Sequence, residues 1–320
     1  MRVYRDLIVS AARKEPRVDV YCPQDASSAH PKPVVLFVHG GGWHIGRKEG
    51  AEAPCRAWAE QGFLTVATSY RLSGLDRGQM GSMLTLIAVF MSLGLTLASD
   101  MNQFVLTLAC LTTLVAVLLW TLSCWPIESP GQHPDHVRDV AKAVRWIVDY
   151  APLYGGDPRS IVVVGHSAGG HLAALLCTNR RFLDAEGVPL ETVAGCIAIS
   201  GVYSDHRLQE SSVGRQLLHN AFGFRDQYYD SFPIYHVRPD TPPFFLLNGG
   251  LDIFLKRHSL DFFYTLRQNR VYAQIKYYPE RNHWNIVRGW PGSNILADMT
   301  EFARLCVRYQ PKRAKTTSFL

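Results

Sequence analysis

The chain has 320 residues, 47% of them hydrophobic and 19% charged, with a formal net charge of +6. That length can bury one large α/β core with an insertion, and the charge is too diffuse for a nucleic-acid surface. The seven cysteines, Cys22, Cys55, Cys110, Cys124, Cys177, Cys196 and Cys306, are odd in number and form no Cys-x-x-Cys pair, which argues against a disulfide framework or metal site and predicts reduced thiols.

In chain order, the stretch from Met1 to Lys14 is too poor in apolar residues for the core of a secretory signal. Pro33 to Val38 then reads as a buried strand running into His39-Gly40-Gly41-Gly42-Trp43. Consecutive glycines at a strand's C-terminal end let backbone N–H groups face a ligand. The amides of Gly41 and Gly42 are therefore expected to receive an oxyanion, with His39 and Gly40 supporting the loop.

Two uncharged apolar runs follow, Met80 to Ala98 and Phe104 to Leu122, separated by Ser99-Asp100-Met101-Asn102-Gln103. Each approaches the roughly 20 residues that cross a bilayer core, and neither has the polar stripe of a soluble helix. They predict a transmembrane hairpin within an insertion at 73–127, with a re-entrant hairpin or a cap over the active site as alternatives. Arg71, Arg77, Arg138, Lys142 and Arg145 flank it on one side and Asp100 sits in the turn, which points to an endoplasmic-reticulum or other internal membrane with the globular part facing the cytosol.

Ile161-Val162-Val163-Val164 is a β-branched run of the kind found in central parallel strands. It leads into Gly165-His166-Ser167-Ala168-Gly169 and then an apolar helix. Strand, Gly-x-Ser-x-Gly turn and helix together are the context of a nucleophile elbow, with Ser167 as nucleophile and the Ala168 amide as a third oxyanion donor. An acid and then a histidine should follow in sequence. Pro243 to Asp252 is a strand ending in a small-residue turn that presents Asp252, and His283 lies just after the strand predicted from Val271 to Tyr278. Asp205 comes one strand too early and Asp261 lies within a helix. His219, His236 and His258 are expected to pack or face solvent, and the aromatic stretch from Gly201 to His236 to be mostly core. The end of the chain, 309–320, is basic and expected to be a disordered tail.

The His39–Trp43 loop, Ser69-Tyr70-Arg71-Leu72, Tyr154-Gly155-Gly156-Asp157-Pro158, the Ser167 elbow through His171, Asp252 and His283 together resemble the α/β-hydrolase superfamily. The likeness is to its His-Gly-Gly-Gly esterase branch, which includes hormone-sensitive-lipase-like, kynurenine-formamidase-like and prenylcysteine-methylesterase-like enzymes. The resemblance implies an α/β-hydrolase fold with a mostly parallel sheet of about eight strands and helices on both faces, formed by 1–72 and 128–308. It also implies ester hydrolysis through a Ser-His-Asp triad and an acyl-enzyme, without a cofactor or metal. The expected partners are a small-molecule or lipid ester, taken to be lipophilic because of the hairpin, and the bilayer itself. A formamidase-type amide substrate uses the same machinery, and an inactive hydrolase-fold binding protein is a further alternative. Oligomeric state is left open.

Overall fold

A computed structural model describes residues 1–9, 16–74, 131–210, 212–224 and 228–317, with Leu111 and Leu114 between them. Among the described residues the eight strands are β1 (Arg2–Ile8), β2 (Arg17–Cys22), β3 (Lys32–Val38), β4 (Leu64–Thr68), β5 (Gly156–His166), β6 (Val193–Ile199), β7 (Phe244–Gly249) and β8 (Ala273–Tyr278). They form one sheet in the order β1-β2-β4-β3-β5-β6-β7-β8. β1 and β2 join antiparallel, and every pairing from β4 to β8 is parallel.

β5 lies inside the sheet, and successive residues point to opposite faces. Ile161 and Val163 enter one core cluster, while Val162 and Val164 enter the other. The sheet is therefore buried on both sides, as the β-branched run predicted. On the first face lie α2 (Asp135–Tyr150) and α3 (Ala168–Thr178), and every residue of α3 is buried. On the second lie α1 (Glu52–Glu60) and the later helix α9 (Asn294–Thr317). Between them in sequence come the short helices α4 (Arg181–Ala185), α5 (His206–Gln209), α6 (Ser212–Phe222) and α7 (Tyr228–Ser231), then α8 (Ile253–Gln268).

The parallel register aligns the strand ends that carry the candidate residues. Val38 pairs with Gly165 across β3 and β5, and Gly249 pairs with Tyr278 across β7 and β8. The loops after β3, β5, β7 and β8 thus leave the same edge of the sheet, where open α/β sheets bind ligands.

The chain divides into two compact units, 1–72 with 131–320, and 73–130. The hairpin expected at 80–98 and 104–122 falls in the second, which lies outside the described residues apart from 73–74, Leu111 and Leu114. At the junction, the Gly131 amide donates to the Leu72 carbonyl at 2.7 Å. Arg71 also binds the buried Asp139 carboxylate of α2 through its backbone amide and its guanidinium, at 2.7–2.8 Å. Strand end and helix are therefore joined in the first unit.

The expected membrane location is corrected. Among the described residues, no helix is long and apolar enough to cross a membrane. The longest of them, α9, is amphipathic: Ile295, Leu296, Met299, Phe302, Ala303 and Cys306 are buried, while Glu301 and Arg304 face solvent. Contact with a bilayer through 80–122 has no support in this structure. α9 runs to Thr317, and the Gln310 side-chain amide donates to the carbonyls of Arg159 and Glu191 at 2.6 Å each.

Candidate active site

Ser167 stands between β5 and α3 with φ 55° and ψ −120°. A non-glycine residue in this region is strained and persists only when its surroundings hold it. Its amide donates to the Ile199 carbonyl of the neighbouring strand at 2.8 Å, which fixes the turn. As the first residue of α3, the buried Ala168 has no intrahelical carbonyl to receive its N–H.

His283 follows β8 and lies between two partners. Its Nε2 is 3.0 Å from the Ser167 hydroxyl and its Nδ1 is 2.8 Å from the Asp252 carboxylate. The carboxylate can only accept in this pair, so Nδ1 carries the proton and neutral Nε2 accepts from the hydroxyl. Burial raises the Asp252 pKa, but the hydrogen bond and charge interaction with His283, together with hydrogen bonds from Ser200 and the Leu255 backbone, outweigh it, and the net shift is downward. The three side chains form one hydrogen-bonded line from positions 167, 252 and 283.

The rival acids are engaged elsewhere. Asp205 accepts from Tyr235 at 2.6 Å and also from Gln209, and Asp261 pairs with Arg207 at 3.1 Å. His258 is buried beside Ser204, His219 is exposed against Phe224, and His236 packs on Tyr229. The aromatic stretch divides: Phe222, Tyr228 and Phe232 are core, whereas Phe224 and Tyr229 are exposed.

In the glycine loop, Gly41 has φ 127°, and a Cβ there would come within 1.9 Å of the Ile45 carbonyl oxygen. The amides of His44 and Ile45 both donate to the Gly41 carbonyl, at 3.1 and 3.0 Å. The loop therefore turns tightly on itself, with Gly42 also at positive φ.

Of the supports of this loop, the sequence reading names His39 and Gly40 but not the partners Tyr70 and His171. The His39 ring stacks on Tyr70, whose hydroxyl reaches the His39 carbonyl, and the His39 Nδ1–H donates to the Gly40 carbonyl. Trp43, held at φ 67°, donates its indole N–H to His171 Nδ1 at 3.1 Å, and His171 Nε2–H donates to the Ser231 carbonyl at 2.7 Å. Both supports lie inside motifs that were singled out, but pairing Trp43 with His171 requires the fold. Among the described residues, no group of three or more histidine, cysteine or acidic side chains is placed to hold a metal ion. The described cysteines Cys22, Cys55, Cys177, Cys196 and Cys306 are buried thiols.

The chain is similar to known esterases. A probable carboxylic ester hydrolase, LipM, of Mycobacterium tuberculosis is 26% identical over 300 residues, covering 87% of this chain and 57% of LipM. A probable isoprenylcysteine alpha-carbonyl methylesterase of rice, Oryza sativa subsp. japonica, is 23% identical over 298 residues, covering 87% of this chain and 56% of the relative. The chain thus spans little more than half of these curated relatives. An esterase structure from Pyrobaculum calidifontis superposes with a TM-score of 0.65 at 19% identity, covering 96% of this chain and 85% of that one, a likeness of fold. Residues 18–79 and 127–264 match the BD-FAE family. The chain belongs to the BD-FAE family, within the esterase and lipase branch of the α/β hydrolases.

Proposed function

We propose that the chain is a serine hydrolase of carboxylic esters, with Ser167, His283 and Asp252 as its catalytic triad. The observation that carries this reading is the continuous line of hydrogen bonds from the Ser167 hydroxyl through His283 to Asp252, at 3.0 and 2.8 Å. Ser167 attacks the ester carbonyl while His283 Nε2 takes its proton, and Asp252 orients the imidazole and stabilises its cationic form. The amides of Gly41, Gly42 and Ala168 receive the developing oxyanion. Collapse of the intermediate passes the proton from His283 to the departing alcohol and leaves an acyl group on Ser167. Water, deprotonated by His283, then releases the acid.

The ester is apolar in this reading, for a reason independent of any membrane. Ile45, Leu251, Phe254 and Trp284 are large hydrophobic residues exposed by 63, 64, 87 and 66%, and each lies within a few residues of the glycine loop, Asp252 or His283. The Trp284 ring stands edge-on to the His283 ring at 5.1 Å. Apolar groups beside a reacting centre favour an apolar acyl or alcohol portion. The rice relative's name describes a methylesterase for isoprenylcysteine, an ester with an apolar substituent.

The test is labelling by a fluorophosphonate probe combined with turnover of p-nitrophenyl esters of increasing acyl length and of matched anilides. Labelling at Ser167 with ester turnover exceeding anilide turnover is the expected result. Faster anilide turnover identifies an amidase, while absence of both labelling and turnover identifies an inactive binding protein.

A further inference from the structure

We propose that His166 is a positioning residue whose Nε2–H holds the backbone carbonyl of His283, so that one buried ring aligns the base with both the nucleophile and the glycine loop. This inference rests on the assignment of Ser167 and His283 above, but it concerns a residue outside the triad.

Three contacts carry it. His166 directly precedes Ser167 and is 7% exposed. Its Nε2 lies 2.9 Å from the His283 carbonyl oxygen. A carbonyl only accepts, so Nε2 bears the proton and Nδ1 is the bare nitrogen of the neutral ring. The Nδ1 side faces the glycine loop: a Cβ on Gly40 would stand 2.9 Å from Nδ1 and 3.2 Å from the Ser167 Cβ. The ring thus fills the place where elbow, glycine loop and base loop meet, and its centroid is 4.9 Å from that of His283.

The base loop takes its shape from hydrogen bonds within the turn. Asn282 accepts from the amides of Trp284 and Asn285 at 2.9 Å each, and the Asn282 amide donates to the Asn285 side chain at 2.7 Å. These bonds are internal to the turn and do not set its tilt against the sheet. On one side the Leu251 amide donates to the Arg281 carbonyl at 3.0 Å. On the other, His166 holds the carbonyl of the base itself. A small rotation about the first attachment would move Nε2 of His283 away from the Ser167 hydroxyl, and a misplacement of about 1 Å can cost about 100-fold in rate.

Burial keeps His166 uncharged, with a pKa pushed down to about 4 despite the favourable bond to the His283 carbonyl. A second cation does not therefore form beside His283 when the latter takes up its proton.

The experiment compares His166→Leu, which keeps bulk without a donor, His166→Gln, which returns an N–H near the Nε2 position, and His166→Asn, whose amide is too short. His166→Leu and His166→Asn should lower kcat on the order of 10- to 100-fold with KM within about twofold, and His166→Gln should recover to within about fivefold of the parent. The downfield NMR resonance of the His283 Nδ1 proton should broaden in the first two variants and persist in the third. Equal losses in the Gln and Asn variants, a parental kcat in the Leu variant, or a change in KM alone would overturn the proposal. If the Leu variant does not fold, the Gln and Asn pair decides. A parent that neither turns over esters nor labels at Ser167 instead refutes the hydrolase assignment, so the two failures are distinguishable.

Discussion

The Tyr70 hydroxyl donates to the His39 carbonyl oxygen at 3.2 Å while the two rings lie nearly parallel, with centroids 4.3 Å apart. The end of β4 thereby braces the start of the glycine loop from one side, and the Trp43–His171 bond braces its end. Tyr70→Phe keeps the stack and removes the donor, leaving a buried carbonyl short of a partner. The expected outcome is a loss of about 3- to 10-fold in kcat, corresponding to about 1 kcal/mol, with KM little changed, read from steady-state hydrolysis of p-nitrophenyl butyrate.

Removal of the proposed triad should be far more severe. Ser167→Ala and His283→Ala should each abolish nearly all turnover, and Asp252→Asn should reduce kcat by up to about 10,000-fold by disturbing the histidine tautomer. Because the three act as a unit, a double variant should be scarcely slower than either of the first two alone. Pre-steady-state acylation measurements check this, and substantial activity in Asp252→Asn would move the acid elsewhere.

The proposed apolar acyl site should discriminate by chain length. Phe254→Ala removes a side chain that is 87% exposed, so thermal stability should hardly change. The specificity constant for an octanoyl ester should fall about 5- to 30-fold, as expected for losing about 1–2 kcal/mol of apolar contact, while that for an acetyl ester stays nearly constant. An equal fall for both esters would argue against an apolar acyl site.

Acid should destabilise the fold through its buried histidines. Burial pushes His136 and His171 down to about 3, and His166 and His258 down to about 4, against roughly 6.5 for an unfolded imidazole. In that interval the unfolded chain binds more protons than the folded one, so stability falls as pH drops below about 6.5 and this contribution levels off near 3–4. Above about 6.5 both states are neutral and these groups add no pH dependence. Calorimetric melting between pH 7.5 and 4.5 should show the decline, and His258→Gln should flatten it by up to about 1.4 kcal/mol per pH unit.

The parts legible in sequence were those whose chemistry is local. A β-branched run, a tight Gly-x-Ser-x-Gly turn and an apolar helix define the setting of Ser167 within a few residues, and strand ends locate Asp252 and His283 once their order is known. Asp205 could be set aside by its place in the chain, and the structure supplies the physical counterpart in its bonds to Tyr235 and Gln209. Contacts between distant stretches were not legible, because nothing in the composition around His166 or Trp43 says which carbonyl or imidazole the fold will bring near. The membrane placement had a different weakness. Hydropathy reports that side chains avoid water, but not whether lipid or protein excludes it, and the placement rested on 80–122 and its charged flanks.

The bond between Gly131 and Leu72 closes the mouth of the long excursion that separates them. Once its two ends are pinned together, further lengthening adds little entropic penalty, since closure cost grows only with the logarithm of loop length. Replacement of 73–130 by a short linker, or by an unrelated module whose termini lie equally close, should therefore leave the strand order and the Arg71–Asp139 clasp to form. Variation at this one seam gives the scaffold a route to new properties while the serine, imidazole and carboxylate, drawn from later strands, stay as they are.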